Sequence, residues 1–463
     1  MSVILTLILQ SLVFAEPEFV EMNGLGRSAQ EWKSRIIYQI LTDRFDRTDG
    51  RNASCNLKNY CGGTFKGIQN HLDYIKALGM DAIWISPVVA NTPGSYHGYH
   101  ATNFYEINSN FGSAQELKDL VAACHQKDIW VMVDIVVNHV GDVNEDWSKI
   151  TPFNKSEHYH PRCDIRDYNN QTQVEMCRLA NLPDLNTENE EVISQLITWT
   201  RWLMTTFNLD GLRVDTIKHV GKPFWKRFVP AVPTYLLGET FDGSIPYIKG
   251  YTDIMPGQLH YPMYYTLLEV FGSKRSCYGL RNKVEEMNRS GIDVTLLGGF
   301  VSNHDNKRFL SINPDWNLMK SAYAFTLLAE SIPLVYYGDE HAFKGGDDPN
   351  NREPMWTTGF KTDHQIFKFI AAVSKARKRI PISAKLVERW VDDQVYSFSR
   401  DKVMAVLTNV GSWSGDISRT ITYHPFTPGD RIVDMVTGET MIVPRDGLRV
   451  TLKEGCPRVY VKP

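Results

Sequence analysis

The chain has 463 residues, 43% hydrophobic and 22% charged, with a formal net charge of −3; this is a globular composition long enough for two or three domains. Without a basic excess or a Lys/Arg run it excludes an electrostatic nucleic-acid surface. The absence of both GxGxxG and GxxxxGK[ST] excludes the common phosphate-cradling loops.

Residues 1–15, MSVILTLILQSLVFA, are apolar and uncharged and are followed by Glu16. They read as a secretory signal peptide ending at Ala15, too short for a membrane span, and no later segment approaches 18 uninterrupted apolar residues. Export agrees with four Asn-x-Ser/Thr sites, at Asn52, Asn154, Asn170 and Asn288, as glycosylation acceptors. It also predicts disulfides among the seven cysteines. Cys55 with Cys61, and Cys163 with Cys177, are close in sequence within polar, turn-rich stretches; the odd total leaves at least one free thiol, and no Cys/His spacing suggests zinc.

From residue 35 the chain alternates strand and helix. RIIYQIL (35–41) reads as a first strand and a helical stretch follows over 66–78. DAIWISPV (81–88) is a second strand, and the helix 113–128 opens on a capping box, Ser113 with Glu116. IWVMVDIVVNH (129–139) has the continuous apolar character of a buried parallel strand. GLRVDT (211–216), TYLLGET (234–240), LLGGFVSNHD (296–305) and IPLVYYGDE (332–340) continue the pattern, with a helix over 190–207. About eight such units predict an α/β fold, a (β/α)8 TIM barrel, over 16–139 and 189–384. The polar interval 140–188 is too long for a connection and reads as a subdomain inserted after strand three. After residue 385 short alternating strands predict a C-terminal antiparallel β-sandwich domain, 385–463.

In such a barrel, chemistry sits at the C-terminal ends of the strands. Those ends carry Asp134, Asn138 and His139, then Arg213 and Asp215, then Glu239, then His304 and Asp305, and finally Asp339, Glu340, Asp348 and Arg352. Arg213-x-Asp215 by itself is compatible with a buried ion pair. Several carboxylates at the same end, with no Ser or Cys nucleophile, point to glycosidic-bond chemistry.

DIVVNH, GLRVDTIKH, GET and VSNHD, in that order and in those strand contexts, resemble the four signature segments of the α-amylase family of glycoside hydrolases. The likeness extends from IIYQILTDRF through NYCGGTFKGI, YHGYHATNFYEIN and QTQVEMC to DDPNNRE, and within the family it is to the fungal-type secreted members. The resemblance implies a retaining, endo-acting hydrolase of internal α-1,4-glucosidic bonds, with starch, glycogen and maltooligosaccharides as substrates. An oligosaccharide α-glucosidase or a transglycosylase is the alternative within the family. It implies Asp215 as nucleophile, Glu239 as general acid/base and Asp305 as the third carboxylate. Arg213 is expected to keep Asp215 ionised, and burial among carboxylates to raise the pKa of Glu239.

The resemblance further implies sugar contacts from His139 and His304, a stacking Tyr99 with His97 beside it, Lys218 and His219 on the leaving-group side, and Asp348 and Arg352 toward the non-reducing end. It implies a structural calcium ion held by Asn138, Glu175, Asp184 and the backbone carbonyl of His219, an oxygen-only set suited to a hard cation. The expected protein is a secreted, extracellular monomer with no nucleic-acid or membrane partner. Three features depart from the fungal-type pattern. His100 follows Tyr99 where Trp is usual, the cysteines of one common disulfide are replaced near Lys249 and Gly291, and the C-terminal domain is somewhat short.

Overall fold

The computed structural model describes residues 25–463; the segment read as a signal peptide lies outside them. Eight strands form one parallel sheet: β1 (Ile37–Ile40), β2 (Ala82–Ile85), β3 (Trp130–Ile135), β4 (Gly211–Val214), β5 (Tyr235–Gly238), β6 (Gly257–Gln258), β7 (Gly298–Gly299) and β8 (Ile332–Tyr336). Their spatial order is β6-β5-β4-β3-β2-β1-β8-β7. A parallel bridge from Leu259 to Gly298, with the His260 N–H donating to the Gly298 carbonyl at 2.8 Å, joins the two ends and closes the (β/α)8 barrel.

Side chains alternate across a strand, and that parity builds the site. Ile37, Ala82, Trp84, Trp130, Met132, Tyr235, Leu237, Ile332 and Leu334 pack together as the barrel interior. The alternate residues, such as Ile83, Val131, Val133, Leu212 and Val214, pack outward in the larger core with the helices. Register sets Asp134 beside Arg213, and Arg213 beside Leu237. Arg213 and Asp215 therefore share the inward parity of β4, and Glu239 shares that of Leu237 on β5.

Strand six went unrecognised in the sequence because two residues carry no period. The stretch 296–305 is a strand only at Gly298–Gly299; a Cβ at Gly298 would meet side-chain carbons of Leu334 and Leu237 at 2.9 and 3.0 Å, so the crowded interior requires glycine there. The helix expected over 66–78 is two helices, Phe65–Asn70 and Leu72–Ala77, parted at His71, whose φ/ψ of −116°/22° is not helical. The capping box at Ser113 is formed: Ser113 Oγ accepts from the Glu116 N–H at 3.2 Å and the Ser113 N–H donates to Glu116 Oε2 at 2.7 Å.

Between β3 and β4 the chain runs through short turns and one helix, Gln171–Met176, before the long helix Glu190–Phe207. A hairpin, Val89–Asn91 with Ala101–Ile107, supports this excursion through an Asn103–Thr151 bridge and a Gly141 N–H to Ala101 carbonyl bond of 2.8 Å. Cys163–Cys177 and Cys55–Cys61 are the two disulfides, with Cα atoms 4.9 and 5.3 Å apart; Cys124, Cys277 and Cys456 are free.

The C-terminal strands are β9 (Val387–Val391), β10 (Val395–Arg400), β11 (Val403–Thr408), β12 (Ile417–Ile421), β13 (Arg431–Asp434), β14 (Thr440–Ile442), β15 (Leu448–Leu452) and β16 (Arg458–Val461). They form a six-stranded antiparallel sheet, β9-β10-β11-β16-β13-β14, and a β12–β15 pair, around Val395, Met404, Ile432, Leu448 and Val450. Phe325 of the barrel helix Trp316–Leu328 meets Phe398 of β10 at 5.5 Å between rings, anchoring the sheet to the barrel. Among the described residues no helix is long and apolar enough to cross a membrane.

Candidate active site

A cleft of ≈ 430 Å³ opens at the C-terminal ends of the strands. Its lining includes Asp215, Glu239 and Asp305 with His97, Tyr99, His139, Lys218, His219, His304, Asp348 and Arg352. Every catalytic and sugar-contacting residue expected from the sequence is thus gathered there except Arg213, which lies fully buried beneath.

Arg213 is the hub. Its Nη1 donates to Asp134 Oδ1 at 3.0 Å and to Asp215 Oδ1 at 2.6 Å, and its Nη2 lies 2.8 Å from Glu239 Oε2. The planar guanidinium matches several carboxylates at once, which a single ammonium cannot do. The Asp215 N–H donates to the Ile135 carbonyl and the Glu239 N–H to the Val214 carbonyl, each at 2.9 Å, so both acids begin on ladder-fixed backbone. Thr216 follows with φ of +48°, a left-handed conformation that a β-branched residue adopts only under strain. That turn brings the Thr216 N–H within 3.4 Å of Glu239 Oε2 and the Ile217 N–H within 3.0 Å of the Glu239 carbonyl.

On the opposite wall Tyr99 and His304 stack with rings 5.4 Å apart and 1° from parallel. The Tyr99 hydroxyl donates to Asp134 Oδ2 at 2.7 Å and is 2.8 Å from His304 Nε2; Gln39 Nε2 is 2.7 Å from His304 Nδ1. His139 Nε2 is 3.1 Å from the Tyr99 carbonyl. Arg352 Nη1 reaches Asp348 Oδ1 at 3.1 Å and its Nη2 stands 3.6 Å from Asp305 Oδ1. Lys218 Nζ donates to the Phe241 carbonyl at 3.0 Å, on the side of the cleft beside Glu239.

The electrostatics divide the carboxylates. Burial alone would push Asp215 up, but the Arg213 guanidinium outweighs it and holds the group below the usual carboxylate range. Burial drives Glu239 well above its ordinary value; Arg213 opposes this, and the charges of Asp305, Asp215 and Asp134 add to it. Asp305 is also raised by burial, but its side chain keeps 30% exposure, so the push is weaker than on Glu239. Burial keeps His139 and His304 below the usual imidazole range, leaving neutral rings that can donate or accept. One ionised acid, one protonated acid and neutral donors in a single cleft suit acid-assisted nucleophilic displacement at an acetal carbon.

The segments that carry the four expected calcium ligands pack against one another. Asp184 bridges to His139, and the Leu185 N–H donates to the Asn138 carbonyl at 2.8 Å. Gln171 Nε2 donates both to Glu175 Oε1 at 2.7 Å and to the Lys218 carbonyl at 3.0 Å, and His219 Nδ1 is 3.1 Å from the Val174 carbonyl. Asp184 Oδ1 is buried without a hydrogen-bond partner, and a Cβ at Gly221 would sit 3.8 Å from Glu175 Oε2. An orphaned buried carboxylate oxygen is a donor that suits a hard cation. Among the described residues no three His, Cys, Asp or Glu side chains gather as a metal cluster, so amide and backbone oxygens would have to complete the shell.

Two residues placed with the site by their position after β8 are elsewhere. Asp339 pairs with Arg308 at 2.8 Å and Glu340 accepts from the Tyr38 and Tyr74 hydroxyls; both are fully buried away from the cleft, because the turn after β8 aims them into the helix layer. Conversely, Tyr261, whose hydroxyl is 3.5 Å from Glu239 Oε1, and Tyr168, which overhangs the cleft, were not anticipated. Tyr261 begins the helix that follows the unrecognised strand β6. His100 lines the cleft with Nδ1 2.8 Å from Ser95 Oγ, a hydrogen-bonding edge where an indole face would stack. Lys249 Cε lies 3.8 Å from where a Cβ of Gly291 would be, so the two positions are neighbours without cysteines to join them. The four Asn-x-Ser/Thr asparagines are all exposed.

Residues 39–402 match the family description "Alpha amylase, catalytic domain", and residues 390–463 match "Alpha-amylase, domain C". The chain is 39% identical to "Alpha-amylase" of Saccharomycopsis fibuligera, over 98% of this chain and 96% of that protein. It is equally 39% identical to "Alpha-amylase 2" of Schwanniomyces occidentalis, over 98% and 95%. Among solved structures, an α-amylase from Malbranchea cinnamomea superposes with a TM-score of 0.90 at 37% identity, covering 94% of this chain and 97% of that one. An α-amylase from Geobacillus thermoleovorans, complexed with acarbose, gives 0.83 at 32% identity, covering 93% and 98%.

Proposed function

The chain belongs to the α-amylase family of glycoside hydrolases, and from that premise we propose that it cleaves internal α-1,4-glucosidic bonds of starch and glycogen with retention of anomeric configuration. The family acts on starch-type glucans. The observation that carries the finer reading is the shared guanidinium: Asp215 and Glu239 sit on the two terminal nitrogens of Arg213, at 2.6 and 2.8 Å. That bridging keeps the two carboxyl groups close, as a retaining pair, which stands roughly 5–5.5 Å apart, requires.

Asp215, ionised, attacks the anomeric carbon and forms a glycosyl-enzyme bond, while Glu239 gives its proton to the leaving glucosidic oxygen. Glu239, now ionised, takes a proton from water, and that water attacks the anomeric carbon and releases Asp215. Asp305, steadied by Arg352, faces the sugar hydroxyls, and Tyr99, stacked on His304, presents a flat wall to the ring being cleaved. His97, His139, Asp348 and Arg352 bind the glycone; Lys218 and His219 bind the leaving chain. Incubation with soluble starch, followed by NMR of the new reducing ends, is expected to give α-anomers of mixed short maltooligosaccharides. Non-reducing-end-blocked maltooligosaccharides are expected to be cut as well. Early β-anomers, glucose alone, or inert blocked chains would overturn the assignment.

The family is generally calcium-binding. Asn138, Glu175, Asp184 and the His219 carbonyl would hold Ca²⁺, which supplies a structural cross-link between the 140–188 insertion and the barrel ends that carry Asp215. Excess chelator is therefore expected to lower the Tm, with recovery on adding Ca²⁺; a Tm indifferent to both would sink the calcium reading. The leader-like residues 1–15, the two disulfides and the exposed Asn52, Asn154, Asn170 and Asn288 support a secreted, glycosylated protein.

A further inference from the structure

The geometry points to Glu188 as a positioning residue for the calcium site, acting through His160, neither of which belongs to the expected ligand set; the inference rests on the calcium reading above. His160 is clasped between two carboxylates. Its Nδ1 is 2.7 Å from Asp184 Oδ2 and its Nε2 is 2.6 Å from Glu188 Oε2. Because Oδ2 of Asp184 is taken by His160, the remaining oxygen, Oδ1, is the one left buried and unpartnered, free for a cation. The orientation of that carboxylate thus depends on the imidazole, and the imidazole ring is pinned at its far nitrogen by Glu188.

Glu188 is itself well placed for this. The Glu188 N–H donates to Asn186 Oδ1 at 3.2 Å, and Glu188 immediately precedes the cap of the long helix Glu190–Phe207. Its second oxygen, Oε1, stands with Glu175 Oε2 around Gly221, 3.5 and 3.8 Å from a Cβ placed there, so its charge adds to the anionic field of the same site. Its side chain keeps 54% exposure. As an isolated, half-exposed pair with His160 it would contribute little to folding. Groups that orient a ligand from behind matter in a different way: their loss typically weakens metal affinity by about 10–100-fold.

The test uses the full chain with E188A and E188Q. Calcium affinity is read by equilibrium competition with a chromophoric chelator, and thermal unfolding is recorded in calcium and in excess chelator. E188A is expected to weaken the calcium Kd by about 10-fold or more. It should shrink the calcium-dependent gain in Tm, leave unfolding in chelator close to that of the unsubstituted chain, and leave kcat/KM on starch unchanged at saturating calcium. E188Q, whose amide can still hydrogen-bond His160, should recover most of the affinity. An unaltered Kd in E188A, or an equal fall of Tm in calcium and in chelator, would overturn the proposal by making the contact merely structural. A parent chain whose Tm ignores calcium fails one step earlier, at the calcium reading, and takes this inference with it.

Discussion

Glu239→Gln is expected to lower kcat on soluble starch by about 10²–10⁴-fold, with KM little changed. The amide is isosteric and can keep contact with the Thr216 N–H and the Tyr261 hydroxyl, which lie 3.4 and 3.5 Å away. What disappears is the proton. Burial holds Glu239 well above its ordinary value, so the native side chain carries that proton at neutral pH and delivers it to a poor leaving group. A substrate whose leaving group needs no protonation separates this role from general damage. With α-maltosyl fluoride the first step should survive in E239Q, and a glycosyl-enzyme on Asp215 should accumulate and be visible by mass spectrometry. Equal losses on starch and fluoride, or an enzyme that keeps most of its starch activity, would remove Glu239 from the acid/base role.

The period-2 reading of GLRVDT made this site legible. Leu212 and Val214 pack outward, and that parity alone forces Arg213 and Asp215 toward the barrel axis. The fold class followed from repeated strand–helix units, and the cleft from the rule that strand C-termini carry the chemistry. Parity could not reveal that Arg213 would also reach Glu239. That contact depends on the register pairing Arg213 with Leu237 across β4 and β5, a long-range fact that no local pattern encodes.

The residues that sequence misplaced fail for a related reason. Asp339 and Glu340 precede the site-lining Asp348 in the same segment, yet a turn with φ of +87° at Gly338 sends them into the helix layer, where Arg308 and Tyr323 bind Asp339 and the Tyr38 and Tyr74 hydroxyls bind one oxygen of Glu340. β6 is too short for any period, so Tyr261 came without a strand to hang it on. His160 and Glu188 both lie in an insertion without periodicity, where only the fold brings His160 to Asp184 and Glu188 to His160.

Arg213→Met is expected to destabilise the fold by about 3–5 kcal/mol at neutral pH, the usual cost of leaving buried charge without its partner. Arg213 is fully buried between Asp134, Asp215 and the protonated Glu239, so methionine fills the volume but leaves the ionised Asp215 uncompensated. The sign of the pH dependence follows from Asp215. Its carboxyl is held below the usual range in the folded chain, so its contribution to stability is present above the unfolded pKa, about 3.9, and is lost as pH falls through the folded value. Without Arg213 that contribution vanishes, so the deficit of the variant should be largest near neutrality and narrow in acid, where the carboxylates are protonated and the native arginine becomes the uncompensated charge. Activity should shift in the same sense: burial, no longer opposed, raises Asp215, and the acid limb of kcat/KM moves to higher pH. Arg213→Lys keeps a charge but not the fork that spans two nitrogens, so it should fall between the two. Denaturant unfolding at neutral and acidic pH, read beside the pH–rate profile, checks both limbs; a methionine variant with unchanged stability and an unmoved acid limb would mean that Asp215 is kept ionised by something other than this guanidinium.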